Sequence, residues 1–244
     1  MTTRLAVAAL FVLTDICNAQ SQSKPPQPPP SSTTSPQNRL SDTEKAAGWR
    51  LLFDGASTAG WRDYGKPTIS DGWKVQDGAL TRVGAGGDII TNDQFGNFEL
   101  ALDWKIEACG NSGIFYRASE DSDAIYWNAP EMQVLDDACH PDGKNRLTSA
   151  GAAYDLYPAP TGVVNPPNTW NAVRLVVNGN HVEQWLNGVK IVEFEFGSAD
   201  WNSKLAASKF APHSHFGKNT QGHIGLQDHG NIVAFRNIKI RALP

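Results

Sequence analysis

The stretch NAVRLVVNGNHVEQWLNGVKIVEFEF, Asn171–Phe196, decides the fold. Three short runs are joined at Asn178-Gly179 and Asn187-Gly188. Asn-Gly adopts the positive φ values that a two-residue hairpin turn demands, so the stretch reads as an antiparallel meander. The same grammar extends in both directions. WRLLFDG (49–55) opens the series, and GWKVQDGALTRV (72–83) turns at Asp77-Gly78. NFELALDWKI (97–106) sets Phe98, Leu100 and Leu102 on one face and Glu99 and Asp103 on the other. GIFYRAS (113–119), EMQVLDD (131–137), GHIGLQD (222–228) and IVAFRNIKIRA (232–242) follow. Helical signals are brief. Ser41 precedes Glu44 at capping-box spacing in SDTEKAAGW, and DWNSKLAASKF (200–210) is the second short candidate. Many short strands without crossover helices predict an all-β fold of two packed antiparallel sheets, with one face concave and exposed.

The flanking segments differ in kind. Residues 1–19 carry Arg4, an apolar run from Leu5 to Leu13 and a small-residue ending. That pattern predicts a secretory signal peptide, and the apolar run is too short to span a bilayer. A lipid anchor on Cys17 is the alternative, disfavoured by Asp15 and Ile16 before it. Residues 20–41 are nearly all Ser, Pro, Gln and Thr. They cannot bury enough apolar surface to offset their ordering entropy, so a disordered tether is expected. Residues 42–244 are enough for one domain with a substantial core. Twenty-one basic residues against 25 acidic give a net charge of −4, and no basic run marks a nucleic-acid partner. In an oxidising compartment Cys109 and Cys139 are expected to pair, bracing the region between two polar motifs.

Three polar clusters are candidates for chemistry. In GHIGLQDHG, His223, Gly225, Gln227 and His229 recur at every second residue, so a regular strand sets them on one face. A core face would not carry two imidazoles and an amide; a wet groove for a polar ligand would. Two histidines with carboxylates nearby are also ligands that a divalent metal accepts, although their spacing alone establishes none. His213 and His215 form a weaker pair of that kind. In EMQVLDD, Glu131 and Gln133 share a face opposite Met132 and Val134. Glu131 is the better general-base candidate, because Asp136 falls on the opposite face of a regular strand. In GNSGIFYR, alternation places Gly113, Phe115 and Arg117 together, with Asn111 at the strand mouth. The Arg117 guanidinium offers a fork of donors to hydroxyl or carbonyl oxygens.

The segments LLFDGASTAGW, NFELALDWKI, GNSGIFYR, PEMQVLDD, WNAVRLVVNGNHVEQWLNG and GHIGLQDHGNIVAFRNIKIRAL occur in that order. Together, from about Trp49 to Leu243, they resemble the 3-keto-disaccharide hydrolase or 3-keto-glucoside 1,2-lyase family, formerly a domain of unknown function. The resemblance implies a concanavalin A-like jelly-roll sandwich, typically exported by bacteria. It implies cleavage of sugars already oxidised at C3, with an upstream glycoside 3-oxidoreductase as supplier. A ketone at C3 acidifies the hydrogen on C2. A base removes it, the C1 substituent leaves, and water adds back. Such chemistry needs a base, a stabiliser for the oxyanion and an acid for the leaving oxygen. On this resemblance Glu131 or His229 is the base, and His223 the acid or a metal ligand. Asn111, Arg117, Gln133 and Gln227 bind hydroxyls or the enediolate. Tyr154 and Asp155, in SAGAAYDLYPAP (149–160), are placed to reach the sugar.

Two other classes compete for the same residues. A retaining glycosidase on this fold needs two acids on one strand, and Glu131, Gln133 and Asp136 lack the second at the right spacing. A non-catalytic carbohydrate-binding module remains the alternative, because the fold hosts many.

Overall fold

A computed structural model describes residue 1 and residues 37–244. The expected signal peptide and most of the expected tether therefore lie outside the described residues. Among the described residues thirteen strands form two antiparallel sheets. The larger sheet contains β1 (Arg50–Leu51), β3 (Trp73–Gln76), β4 (Ala79–Arg82), β6 (Phe98–Ile106), β9 (Asn171–Asn178), β10 (His181–Leu186), β11 (Val189–Glu195) and β13 (Val233–Ala242). Its order is β11-β10-β9-β6-β13-β4-β3, with β1 on β13. The smaller sheet runs β2-β5-β12-β7-β8, from β2 (Trp61–Asp63), β5 (Ile89–Thr91), β12 (His223–Leu226), β7 (Asn111–Ala118) and β8 (Glu131–Leu135). This is the concanavalin A-like jelly-roll sandwich, an all-β fold.

Turn chemistry fixes the hairpins. Asp77-Gly78 and Asn187-Gly188 each have two positive φ values, the requirement of a tight turn that matches strand twist. The β9–β10 loop is displaced by one residue from the expected Asn178-Gly179. Asn178 pairs with His181, and the turn is Gly179-Asn180 with Gly179 at φ 60°. Two short helices close the picture. In α1 (Asp42–Ala46), Ser41 and Glu44 form the expected capping box. In α2 (Ala199–Ala207), Ser198 accepts a hydrogen bond from the Trp201 backbone N–H at 3.1 Å. The packed chain begins before residue 42. Asn38, inside the expected tether, is buried and exchanges hydrogen bonds with Asn237, each 2.8 Å, at a bulge in β13.

The main core lies between the sheets. From the smaller sheet, Ile89, Ile114, Tyr116, Met132, Val134, Ile224 and Leu226 point inward. Because strand side chains alternate, their neighbours must point outward. A second apolar cluster forms on that outer face: Ile90, Phe115, Ala118, Ile125 and Ala129. Ile125 begins a single 3-10 turn (Ile125–Trp127) laid across the sheet. Cys109 and Cys139 are joined, with Cα atoms 4.7 Å apart, and tie the start of β7 to the end of β8.

Candidate active site

Strand register assembles the site on the outer face. Gly113 pairs with Gln133, and Phe115 with Glu131. The backbone N–H of Gln227 donates to the Gly113 carbonyl at 3.0 Å, and the Ser112 hydroxyl to the Gln227 carbonyl at 2.8 Å. Leu226 pairs with Ile89, so Gln227 meets Asp88 one residue further on. One lateral row across four strands is therefore Asp88, Gln227, Gly113, Gln133. Glu131 belongs to the next row but leans into this one, since a Cβ on Gly113 would overlap its carboxylate. The absence of a side chain at Gly113 makes room for the acid.

Glu131 is 6% exposed, and its carboxylate has no hydrogen-bond or ion-pair partner among the described residues. Burial disfavours the charged form and raises its pKa to about 8; Asp88 and Asp142 push the same way, and Lys209 opposes them. On the same face Gln133 Oε1 and Gln227 Oε1 in the adjoining row, and Asn111 Oδ1 one row further, are buried without a hydrogen bond. Gln133 is oriented by its Nε2 donating to the Thr148 carbonyl at 3.2 Å. Buried amides are normally satisfied, so three such oxygens on the face of one unpartnered acid mark a place shaped for a polar guest.

The rim is charged and aromatic. Lys209 Nζ lies 4.2 Å from the Tyr154 ring centroid and 6.0 Å from that of Tyr126. Tyr154 donates to Asp142 at 3.4 Å, and its pKa is raised to about 12, mainly by burial. Asp155 faces the Lys209 backbone instead, accepting its N–H at 2.8 Å, and so supports the rim. His229 is exposed in the turn after β12, with its ring 6.4 Å from that of His140.

Two expected partners sit elsewhere. The alternation that groups Arg117 with Gly113 and Phe115 is broken by a bulge at Arg117, φ 53°. Its guanidinium turns away from the groove, donates to the Gly96 carbonyl at 3.0 and 3.1 Å, and lies over the Phe196 ring. His223 pairs with Ala118 at the other end of β12. Its Nδ1 meets the Thr91 carbonyl at 2.6 Å and its Nε2 meets Gln94 at 3.0 Å. Glu120, held by Arg62, is 3.9 Å from it. Between His223 and the row of Asp88, Gln227, Gly113 and Gln133 lies Ile125, whose side chain fills the space above Gly225. His223 and His229 are therefore not brought together as metal ligands.

Two groups among the described residues hold ligand-type atoms within 4.8 Å of one another. Cys109, Asp136 and Cys139 is one, but both sulfurs are in the disulfide. His181, Glu183 and Glu193, on the larger sheet, offer a divalent cation three ligand atoms, with Lys190 Nζ already 2.7 Å from Glu193.

Asp88, Asp142, Lys209 and His140 are site residues that periodicity did not mark. Asp88 had one signal, a carboxylate immediately before the apolar pair Ile89-Ile90 that forms β5.

The outer face of the smaller sheet is covered rather than open as expected, and it carries a buried acid, unpartnered amides and an aromatic rim, the setting of a carbohydrate-active protein on a concanavalin A-like sandwich. The chain belongs to the 3-keto-disaccharide hydrolase family: residues 48–241 match the 3-keto-alpha-glucoside-1,2-lyase-like domain. A relative from Bacteroides thetaiotaomicron called 3-keto-disaccharide hydrolase is 36% identical over 230 residues, 81% of this chain and 79% of its own. A crystal structure from Parabacteroides distasonis, described as a glycosyl hydrolase, superposes with a TM-score of 0.81 at 35% identity, covering 86% of this chain and 100% of that one. A second from the same organism gives 0.64 at 33% identity, over 80% and 99%. Among the described residues no helix is long and apolar enough to cross a membrane.

Proposed function

We propose that the protein cleaves the glycosidic bond of 3-keto-glycosides by removing the C2 proton and eliminating the C1 substituent, with addition of water completing hydrolysis. The observation that carries this reading is Glu131: a buried carboxyl without a partner, over Gly113, with orphan amide oxygens beside it. A ketone at C3 makes proton transfer sufficient, and a carboxyl with its pKa raised to about 8 can exchange protons near neutral pH. Gln133, Gln227 and Asn111 accept hydrogen bonds from the sugar hydroxyls. Lys209 and Tyr154 close over the ring, and His229 contacts the sugar at the mouth.

The wider assignment follows from the same chemistry. The substrate must be oxidised at C3 first, so a glycoside 3-oxidoreductase acts upstream. Residues 1–19 direct export, and the Pro/Ser-rich segment between them and Asn38, where the packed domain begins, serves as the tether of the secreted or periplasmic product.

The test mixes the protein with a 3-keto-glucoside and, separately, its unoxidised parent in deuterated water, with and without a chelator. Release of the aglycone from the keto-sugar alone, with deuterium at C2, is expected. Sugar binding without release from either substrate would overturn the reading in favour of a binding module. Loss of release with chelator would assign a metal to the reaction.

A further inference from the structure

We infer that Asp88 is the second proton-transfer group of the site, working across the sugar ring from Glu131. The inference rests on the 3-keto-glycoside reading above and deepens it. Asp88 precedes β5 on the outer face, in the lateral row Asp88, Gln227, Gly113, Gln133. Two strand spacings separate it from Gly113, roughly 10 Å of sheet. The Glu131 carboxylate sits over Gly113, so the two acids lie on the same face of this row with Gln227 between their strands, and Asp88 is near enough to act on the Glu131 charge.

The Asp88 side chain is held at one oxygen only. Oδ1 accepts the Asp228 backbone N–H at 2.8 Å, and Oδ2 has no partner among the described residues. The support behind it is rigid. The Asp228 carboxylate accepts from Arg82 at 2.6 Å, Gly86 N at 2.9 Å and Gly87 N at 3.0 Å, so it is committed to structure. The charged and titratable groups near the pair are Asp228 and Arg82 behind Asp88, Lys209, Asp142 and Tyr154 around Glu131, and His140 and His229 at the mouth. Burial moves both acids up but unequally, Asp88 to about 6 and Glu131 to about 8. Of the two, Asp88 is the more readily ionised and Glu131 the stronger holder of a proton. Two acids held apart in this way have complementary roles.

The steps balance. Asp88 takes the proton from C2, and the C2–H electron pair forms the enolate onto the C3 oxygen. The enolate collapses to a C1=C2 double bond as the C1–O bond breaks, and Glu131 gives its proton to the departing oxygen. For hydration, the Glu131 carboxylate takes a proton from water as oxygen bonds to C1, and Asp88 returns its proton to C2. Both acids end as they began, and no co-reactant other than water is consumed.

The test compares the unsubstituted protein, Asp88→Asn and Glu131→Gln on two 3-keto-glucosides in deuterated water, one with an alkyl leaving group and one with 4-nitrophenyl. Asp88→Asn is expected to lose C2 exchange and the release of both aglycones by at least ~100-fold. Glu131→Gln keeps C2 exchange and nitrophenyl release within ~10-fold but loses alkyl release by ~100-fold, because nitrophenolate needs no acid. The rate–pH profile has limbs near 6 and 8, and each variant removes one. Asp88→Ser, whose hydroxyl still accepts from Asp228, repeats the test if the asparagine variant folds poorly. C2 exchange in a folded Asp88 variant within about threefold of the unsubstituted protein would overturn the inference, since a general base contributes far more than that. Loss of exchange in Glu131→Gln alone would do so as well. No exchange or release by the unsubstituted protein would instead sink the parent reading, leaving the two failures distinct.

Discussion

The Glu131 carboxylate occupies the space that a Cβ on Gly113 would fill. The two residues lie on neighbouring strands in adjacent rows, and the acid is aimed by an absence. Gly113→Ala should displace the carboxyl from the row of amides. We expect a loss of turnover of at least ~100-fold, since small misplacements of a reacting group are costly. Overpacking should lower stability by about 1–3 kcal/mol. Steady-state kinetics with a thermal melt checks both; unchanged turnover would show that the aim does not matter.

The raised pKa of Glu131 has a thermodynamic sign. The folded state holds this proton more tightly than the unfolded state, whose carboxyl titrates near 4.5. The associated stability is present in full below that value and is lost as pH rises toward about 8. Asp88 adds a smaller loss between 3.8 and about 6. Glu131→Gln has no such proton to lose. Chemical denaturation from pH 5 to 9 should show the unsubstituted protein weakening by on the order of a few kcal/mol and the glutamine variant staying flatter. The variant should be the more stable of the two at pH 9. Parallel curves would contradict the burial argument.

Cys109 and Cys139 close a loop with a separation of 30 residues, from the start of β7 to just beyond β8. Restricting a loop of that size in the unfolded chain stabilises by about 3–4 kcal/mol. Replacing both with alanine should lower the melting temperature by roughly 6–15 °C for a domain of this size. Calorimetry under oxidising conditions measures it, and an equal melting temperature would mean the bridge constrains nothing.

His223 and His229 should part company. His223→Ala removes a buried ring with both nitrogens engaged, so stability should fall by about 1–3 kcal/mol. Turnover per folded molecule should stay within about tenfold, below the contribution of a proton-transfer group. His229→Ala leaves the fold intact and raises KM more than it lowers kcat. Kinetics on samples matched for folded fraction separates them. A collapse of kcat in His223→Ala would return that imidazole to the chemistry.

Most of the fold was legible because hairpin turns and period-2 alternation are local. The Asp77-Gly78 and Asn187-Gly188 turns fall where the sequence places them. So does the shared face of Glu131 and Gln133, which strand parity alone determines. What parity cannot see is a bulge. One extra residue at Arg117 reverses the side to which its guanidinium points, and nothing in GIFYRAS announces it. Nor can parity see a short strand. β2 and β5 have three residues each, too few to show a period, and Asp88 was hidden with β5. Lys209 comes from a loop, and His140 and Asp142 from the start of a short 3-10 helix (Pro141–Lys144); their place at the site is a matter of tertiary packing. Asn38 is a further case: composition reads it as tether, and two side-chain–backbone hydrogen bonds to Asn237 make it part of the sandwich.

Ile125 divides the outer face. Its side chain rests above Gly225 in the middle of that face, backed by Ile90 and Phe115. A ligand laid along the sheet from Gln227 toward His223 would have to evict a fully buried isoleucine. The amide row and the His223 end are therefore separate compartments of one sheet, and a group held in one does not reach the other.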